Sequence, residues 1–551
     1  MGFSLGKPLI FLEKNLMDKI LILDFGSQTT QLIGRRIRDL GVYTDIFPGD
    51  TSLTPEIITP DVKGIILSGS PESVYAEGAA PDKKIYDCGL PLLGICYGLQ
   101  RMTHDLGGKV EPLPEREYGR IEVRIKEQGE NNSAGNNEKV KLFLKGFKDS
   151  FTAWMSHGDT LTQLAPGFVE VGTSGTGYPA VVAHEEKPWF GLQFHPEVTH
   201  CEGGDEILGA FVFGVCGCTA SWSMEHYIEE LSRSLKERAG ENPVLLLISG
   251  GVDSTVAGAA LLKSLKPEQV HLMYMDTGLM RKNETSLVRA SLEKLGAKNL
   301  HIIMCEEEFL SALNGKEEPE EKRRIIGDLF ITIQEREVAR LGLAENYFLA
   351  QGTLYTDLIE SGKGVGKKAH VIKSHHNVAS PLVDAKRKAG KIIEPLDRLY
   401  KDEVRKLGRY LGVDEEIVGR HPFPGPGLAV RILGEVSHEK CAILREADAI
   451  FIEELKLRRG PFGKTLYDEI WQAFAILLPI RSVGVAGDVR KYGNVLALRA
   501  ITSADGMTAD VYPFETRDLL EISTRITNSV KEIGRVTYDI SSKPPATIEW
   551  E

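Results

Sequence analysis

The stretch LLGICYGLQ holds a cysteine in surroundings that suit a nucleophile. Cys96 ends a run of apolar residues that predicts a β-strand, and the residues after it predict a helix. Gly94 and Gly98 would permit the sharp turn of a nucleophile elbow, the pattern G-x-S-x-G with sulfur in place of oxygen. The dipole and the N–H groups at the start of the helix would favour the thiolate. A buried core thiol is the alternative, and a nearby base decides between the two.

His195 and Glu197, in LQFHPE, supply the base that such a thiolate needs. They stand two residues apart at the predicted end of a strand, where alternate side chains point the same way. A carboxylate in that position fixes the tautomer of the imidazole and stabilises its protonated form. Together with Cys96 they predict a catalytic triad.

A second motif, SGGVDST, follows a fully apolar strand and opens a helix. Backbone N–H groups of a glycine-rich turn at a helix N-terminus form an anion-binding nest. The lysine of the Walker motif is missing from it, which disfavours γ-phosphate transfer of the kinase or GTPase kind. An ordinary glycine turn is the alternative. The motif comprises Ser249, Gly250, Gly251, Val252, Asp253, Ser254 and Thr255.

The bulk composition limits the class of protein. The chain has 551 residues, a length that predicts two to four domains. Its net charge of −12 argues against a nucleic-acid partner, since a phosphate backbone needs a basic surface. No apolar run reaches membrane-spanning length, and the N-terminal run PLIFL is too short for a signal peptide. Seven cysteines, an odd number at low density, predict free thiols in a reducing cytoplasm.

Three blocks follow residues 1–16, which are predicted to be an N-terminal extension, with a misassigned start as the alternative. Residues 17–219 alternate apolar strands with helical stretches, a pattern that predicts a parallel sheet with crossover helices. Residues 220–426 repeat this α/β pattern and end in RHPFPGPGL, whose prolines predict a boundary or a rigid loop. Residues 427–551 mix helices and strands and predict a smaller α+β domain.

The stretches GICYGLQ, SGSPESV, AWMSHGD and GLQFHPE resemble the class I, triad-type glutamine amidotransferases. The resemblance implies hydrolysis of glutamine through a cysteine thioester, with release of ammonia. It also implies an oxyanion hole made by the backbone N–H groups of Gly69 and Tyr97, and a substrate contact from Gln100. The family usually has Gly-Gly-Pro where this chain has Gly69-Ser70-Pro71, and Gly69 itself is retained.

The motif SGGVDST resembles the pyrophosphate loop of the N-type ATP pyrophosphatases. These enzymes cleave ATP between the α- and β-phosphates and adenylate an oxygen of the substrate. The resemblance implies ATP as co-substrate, bound by residues 249–255, and Mg²⁺ as cofactor, with Asp253 as a ligand because Mg²⁺ prefers carboxylate oxygens. The implied fold class is α/β, with two doubly wound parallel-sheet domains and a smaller α+β C-terminal domain.

Over residues 18–551 the chain resembles the family of glutamine-hydrolysing GMP synthetases, in stretches that include MDTGLMRKNE, QGTLYTDLIES and SSKPPATIEWE. The resemblance implies ATP-driven amination of XMP to GMP in the cytoplasm by a homodimer that associates through the third block. It implies small-molecule substrates, without nucleic acid or membrane. EEKRRIIG is then expected to be a lid over ATP, and a solvated helix face is the alternative. The implied XMP contacts are Arg323, Gln472, Lys543 and Glu549.

Two other classes of protein compete with this interpretation. A tRNA thiolase with the same pyrophosphate loop would carry C-x-x-C pairs and a basic surface, whereas this chain lacks those pairs and has a negative net charge. An inactive scaffold would have lost a catalytic residue, and Cys96, His195, Glu197 and Asp253 are all present. Ala379 and Ser380 stand where the family usually has two glycines, a change that removes no chemistry the sequence identifies.

Overall fold

The computed structural model describes residues 17–76, 80–126, 137–343, 346–360, 381–486, 489–503 and 508–551. These residues fold into two compact units, one of residues 17–227 with 356–360 and one of residues 228–355 with 381–551. The N-terminal extension and the pair Ala379 and Ser380 lie outside the described residues. The third predicted domain and most of the second fall within the second unit, whereas residues 220–227 and 356–360 belong to the first. The predicted limits at residues 219 and 426 stay predictions.

The first unit is built on one mixed sheet. Its strands are β1 (Lys19–Asp24), β2 (Tyr43–Pro48), β3 (Val62–Leu67), β4 (Leu92–Ile95), β5 (Lys109–Ile125), β6 (Ser150–Gln163), β7 (Phe168–Ser174), β8 (Pro179–His184) and β9 (Trp189–Leu192). Its α-helices are α1 (Thr30–Asp39), α2 (Tyr97–Asp105), α3 (Glu138–Leu144) and α4 (Gly204–Gly209), with a π-helix at Ala210–Val215. The strand order is β2-β1-β3-β4-β9-β8-β7-β5-β6.

Half of this sheet follows the predicted parallel pattern. The five strands from β2 to β9 in the sheet order are parallel. The strands β8, β7, β5 and β6 continue the sheet antiparallel. The parallel strands β1 and β3 are almost entirely buried, which explains their continuous apolar runs. Along β6 buried and more exposed side chains alternate, so this strand lacks the apolar run on which the sequence prediction depended.

The second unit contains the remaining strands, and the chain passes from one unit to the other within α5 (Met224–Ala239). These strands are β10 (Val244–Ile248), β11 (Val270–Asp276), β12 (Asn299–Met304), β13 (Phe348–Ala350), β14 (Ile392–Ile393), β15 (Gln472–Ala486), β16 (Val489–Thr502), β17 (Asp510–Val511) and β18 (Ile533–Tyr538). The remaining helices of the chain are α6 (Val252–Ser264), α7 (Glu284–Lys294), α8 (Glu306–Leu313), α9 (Pro319–Arg340), α10 (Tyr355–Glu360), α11 (Pro381–Lys388), α12 (Lys401–Tyr410), α13 (Glu415–Val418), α14 (His438–Leu457), α15 (Leu466–Glu469) and α16 (Thr516–Ser529).

Two sheets organise the second unit. The strands β12-β11-β10-β13-β14 form an all-parallel sheet in that order. The long hairpin of β15 and β16 is antiparallel, and β18 joins β16 in parallel. One hydrophobic core includes Leu245 of β10, Leu444 of α14 and Leu496 of β16, so the α/β and α+β parts share buried surface. Among the described residues, no helix combines the length and hydrophobicity needed to cross a membrane.

Candidate active site

Cys96 occupies the sharp turn between β4 and α2, where the sequence predicts the elbow. Its φ of 53° lies in the left-handed region, which costs a non-glycine residue about 1–3 kcal/mol. A Cβ on Gly94 would lie 2.5 Å from the amide nitrogen of Leu99. A Cβ on Gly98 would lie 2.2 Å from the carbonyl oxygen of Leu67. The two glycines are therefore required for close packing, and that packing holds the thiol at the carboxyl end of β4.

We expect Gly98→Ala to destabilise the first unit by about 1–3 kcal/mol and to remove most of the glutamine hydrolysis that the resemblance implies, because the added methyl group meets backbone atoms of β3. Thermal unfolding and glutamate release measure the two effects. Gly209→Ala is the matched control, since the atoms nearest to its Cβ lie 3.9 Å away. Equal stability and equal glutaminase activity in the two variants would contradict the packing argument.

His195 and Glu197 form an ion pair beside the thiol. The distance between His195 Nδ1 and Glu197 Oε1 is 2.7 Å, and the imidazole also hydrogen-bonds to the side chain of Cys96. Burial acts to lower the pKa of His195, but the Glu197 carboxylate and the Cys96 sulfur outweigh it and hold that pKa well above its ordinary value. A protonated imidazole in this position can give a proton to a leaving group.

The side chains of His195 and Glu197 are brought together by tertiary contacts and not by the strand alternation that the sequence suggests. Strand β9 ends at Leu192, so His195 and Glu197 lie on the turn after the strand and strand alternation does not orient them. The turn is held instead by tertiary hydrogen bonds. The N–H of His195 donates to the carbonyl oxygen of Trp154 at 3.0 Å. Arg36 Nε donates to the carbonyl oxygen of Glu197 at 3.1 Å.

The other predicted amidotransferase residues surround the same thiol. Gly69 follows β3, and a Cβ on it would lie 3.1 Å from Cε1 of His195. Tyr97 opens α2, and the first N–H groups of a helix have no acceptor inside it. Gln100, one turn later, is buried and donates from Nε2 to the carbonyl oxygen of Asp159 at 2.7 Å. The placement of Gly69 and Tyr97 suits an oxyanion hole, while the Gln100 amide is bonded to β6.

A buried ion pair beside the thiol is missed by sequence reasoning. His157 Nε2 lies 2.9 Å from Glu117 Oε2, and both side chains are buried. His157 Nδ1 lies 3.0 Å from the carbonyl oxygen of Asp159. Ser156 precedes His157 in β6, and its carbonyl oxygen is 3.9 Å from Cys96 Sγ. AWMSHGD carries this histidine, but its glutamate partner lies on β5, and no local pattern links the two residues.

The remaining cysteines lie in surroundings that keep them protonated. All seven thiols are free. Burial raises the pKa of each of the other six, namely Cys88, Cys201, Cys216, Cys218, Cys305 and Cys441. Burial raises the pKa of Cys201, in the first unit, to about 12. Among the seven cysteines, Cys96 is the one that hydrogen-bonds to the His195 imidazole.

The glycine-rich motif forms the predicted turn between β10 and α6. Gly250 has a φ of 79°, a left-handed conformation that favours glycine. The hydroxyl oxygens of Ser249 and Ser254 lie 3.0 Å apart across the turn. Thr255 Oγ1 donates to the carbonyl oxygen of Gly251 at 2.9 Å. These bonds fix the turn at the N-terminus of a 13-residue helix, the geometry of an anion nest.

Asp253, on the first turn of α6, pairs with a lysine that the sequence analysis did not single out. Lys401 Nζ lies 2.5 Å from each carboxylate oxygen. The exposed fractions are 31% for Asp253 and 48% for Lys401, so both charges reach solvent at the mouth of the turn. A carboxylate and an ammonium group beside an anion nest suit a divalent cation and phosphate oxygens, respectively.

Two of the four predicted XMP contacts meet in the second unit. Gln472, the first residue of β15, donates from Nε2 to Oε1 of Glu549 at 2.8 Å. The fully buried Arg431 binds the same carboxylate at 2.8 and 3.1 Å. Arg323 donates instead to the backbone oxygen of Glu551 at 2.5 Å. Gln472 and Glu549 therefore form one polar cluster, to which Arg431 adds the positive charge.

The last residues, SSKPPATIEWE, are anchored and do not form the loose tail that their prolines alone would predict. The fully buried Arg499 donates to the carbonyl oxygens of Ile548 and Thr547 at 2.8 and 2.9 Å. Lys543 exchanges backbone hydrogen bonds with Ala509 at 2.8 and 3.0 Å. These bonds fix the backbone of Lys543, and its role as an XMP contact stays a prediction.

Three protein families match consecutive parts of the chain. Glutamine amidotransferase class-I matches residues 21–215, which contain the thiol and the His195–Glu197 pair. Asparagine synthase matches residues 226–315, which contain the glycine-rich turn. GMP synthase C terminal domain matches residues 462–550, which contain Gln472 and Glu549.

Curated proteins are similar over nearly the full length. A glutamine-hydrolysing GMP synthase of Aquifex aeolicus is 49% identical over 535 residues, 97% of this chain and 99% of that protein. One of Geobacillus kaustophilus is 48% identical over the same shares of the two chains. A solved structure from Thermoplasma acidophilum, described as a putative GMP synthase subunit, is 28% identical over 37% of this chain and 96% of its own, with a TM-score of 0.31. This chain belongs to the glutamine-hydrolysing GMP synthases.

Proposed function

We propose that Cys96, His195 and Glu197 carry out the glutaminase half of the GMP synthase reaction. The Cys96 thiolate attacks the carboxamide carbon of glutamine, and the N–H groups of Gly69 and Tyr97 stabilise the oxyanion. His195 gives its proton to the leaving ammonia, and a thioester remains. The imidazole then takes a proton from water, which attacks the thioester and releases glutamate. The 2.7 Å pair of His195 and Glu197 beside the elbow is the observation that carries this assignment.

The synthetase half uses ATP and XMP. The glycine-rich turn of residues 249–255 binds the ATP phosphates through its N–H groups, and the oxygen on C2 of XMP attacks the α-phosphorus. Pyrophosphate leaves, and the adenylated oxygen becomes a good leaving group. Ammonia then displaces AMP at C2 and gives GMP. Gln472 and Glu549 supply an amide and a carboxylate for the polar edge of the purine, while Arg323 and Lys543 supply positive charge for the nucleotide phosphate.

Asp253 is the proposed ligand for Mg²⁺. Its carboxylate is partly exposed at the start of α6, beside the turn that binds phosphates, and Mg²⁺ is held in such sites by one or two carboxylates together with substrate phosphates. Bound Mg²⁺ would neutralise charge on the phosphates during pyrophosphate release. Lys401, which now pairs with Asp253, would then be available for a phosphate oxygen.

The proposed assembly is a cytoplasmic homodimer that uses small molecules only and has neither nucleic acid nor membrane as a partner. Apolar side chains on the β15–β16 hairpin are exposed, among them Ile480, Val485 and Tyr492. Such a surface is typical of a contact with another chain. Seven free thiols agree with a reducing compartment. Sedimentation of the purified chain distinguishes a dimer from a monomer.

Product analysis tests the proposed chemistry. We expect purified protein with XMP, ATP, glutamine and Mg²⁺ to form GMP, AMP and pyrophosphate in equal amounts, as measured by chromatography. Removal of Mg²⁺ with EDTA should abolish GMP formation and spare glutamate formation, because the cation acts only in the synthetase half. Formation of ADP, or GMP synthesis that continues in EDTA, would contradict the proposal.

A further inference from the structure

Residues 420–422, at the start of the proline-rich stretch RHPFPGPG, contact both parts of the proposed synthetase site. The buried Arg420 donates from its guanidinium group to the carbonyl oxygen of Gly250 at 2.8 Å. The same guanidinium pairs with Glu284 of α7 at 2.6 Å, and the Glu284 side chain is almost fully buried. A charged pair therefore lies directly behind the glycine-rich turn.

The bond to Gly250 fixes the orientation of a peptide plane. In a trans peptide the C=O and the following N–H point in opposite directions. Because Arg420 holds the Gly250 oxygen on the buried side, the N–H of Gly251 faces the other side, where it lies 3.3 Å from Ser249 Oγ. Glu284 closes the space behind the turn, since a Cβ on Gly250 would lie 2.7 Å from its Oε1.

The next residue, His421, is bonded to the strand that starts at Gln472. His421 Nδ1 accepts from the N–H of Ala473 at 3.2 Å, and Nε2 donates to the carbonyl oxygen of Tyr467 at 2.8 Å. The ring also stacks on Tyr467, with centroids 3.8 Å apart. One nitrogen accepts and the other donates, so the neutral ring is the form that fits. This arrangement fixes the start of β15 relative to His421.

Pro422 completes the connection to the cluster at Glu549. Its carbonyl oxygen accepts from Gln472 Nε2 at 3.2 Å, and the same amide group donates to Glu549 at 2.8 Å. Three consecutive residues thus bond, in order, to the glycine-rich turn, to the start of β15, and to a predicted XMP contact. None of these bonds is between sequence neighbours, and all lie within the second unit.

We propose that residues 420–422 are a positioning segment that sets the distance between the ATP-binding turn and the XMP-binding cluster, with Arg420 as the residue that positions Gly250. This inference rests on the proposed ATP and XMP assignments. In-line attack by the XMP oxygen on the α-phosphorus requires reacting atoms about 3–3.5 Å apart, and a displacement of about 1 Å can cost about 10²-fold in rate. Proline on both sides of Phe423 limits the freedom of the segment.

Kinetics of Arg420 variants test the proposal, with ammonium chloride in place of glutamine so that only the synthetase half is measured. We expect Arg420→Met to raise KM for ATP about 10-fold and to lower kcat about 10²-fold, at a smaller change in KM for XMP. Arg420→Lys keeps the charge and should recover part of the loss. Arg431→Met is the matched control, because this buried arginine binds Glu549 and should raise KM for XMP with little change in KM for ATP.

A folded Arg420→Met enzyme with wild-type kcat and KM for ATP would overturn the proposal. If that variant fails to fold, Glu284→Gln decides, since it removes the charge behind the turn and keeps the shape. Wild-type kinetics in Glu284→Gln would then overturn the role of the pair. Failure of the proposed function has a different signature, in which the wild-type chain itself forms no GMP from XMP, ATP and ammonia.

Discussion

Replacement of Cys96 with alanine is expected to abolish glutamine-dependent GMP formation and to leave ammonia-dependent GMP formation close to the wild-type rate. In the proposed mechanism the Cys96 thiolate is the nucleophile of the glutaminase half, and alanine offers no group to replace it. The loss should be at least about 10³-fold, the scale seen when a triad nucleophile is removed. External ammonia enters the reaction after glutamine hydrolysis and bypasses the missing thiol. Chromatography of the nucleotides, with either nitrogen source, measures both rates.

Cys201→Ala is the matched control for this experiment. Cys201 is buried in the same unit, and burial raises the pKa of its thiol to about 12, so it stays protonated and takes no part in attack. Its variant should retain glutamine-dependent synthesis within about twofold. If Cys96→Ala still used glutamine, or if it lost the ammonia reaction at an unchanged unfolding temperature, the assignment of the nucleophile would be wrong.

Replacement of Asp253 with asparagine should impair the synthetase half and spare the glutaminase half. GMP formation should fall roughly 10²-fold or more with both nitrogen sources, because the variant loses the carboxylate proposed to bind Mg²⁺ and leaves Lys401 without its partner. Glutamate release by the first unit should continue, since its residues are untouched. Pyrophosphate release and glutamate release, measured in parallel, separate the two effects.

Glu241→Gln provides the comparison for this variant. Glu241 also pairs with a lysine, Lys266, at 2.7 Å, but both side chains are well exposed, and Glu241 precedes β10 whereas the glycine-rich turn follows it. Exposed pairs contribute about 0–1 kcal/mol to stability, so the variant should behave like wild type in both assays. Wild-type pyrophosphate release in Asp253→Asn would rule out a role for this carboxylate in binding Mg²⁺.

The sequence predicts the parts of the sites that depend on local spacing. The elbow at Cys96 needs two glycines at fixed offsets, and the turn at Gly250 needs glycine at a left-handed φ, so both leave a readable pattern. The buried parallel strands can likewise be predicted from their continuous apolar runs. The resemblance to known families adds the positions that spacing cannot supply, such as Gln472 and Glu549, whose side chains meet across 77 positions.

Other features lie beyond sequence reasoning because they depend on tertiary contacts. His195 and Glu197 meet on a turn held by Trp154 and Arg36, and not through strand alternation. The antiparallel half of the first sheet has alternating burial and no apolar run. The pair of Arg420 and Glu284 joins residues from separate elements, and neither residue type marks its partner in the sequence.

The difference between one thiol and the six others has a practical consequence for labelling. Burial raises the pKa of Cys88, Cys201, Cys216, Cys218, Cys305 and Cys441, whereas Cys96 lies beside an imidazole that readily carries a proton. Alkylating reagents react with thiolates and not with thiols. If Cys96 is the nucleophile as proposed, a limiting amount of iodoacetamide would mark it in preference to the six other thiols. The mass of label bound would then count competent molecules without a turnover assay.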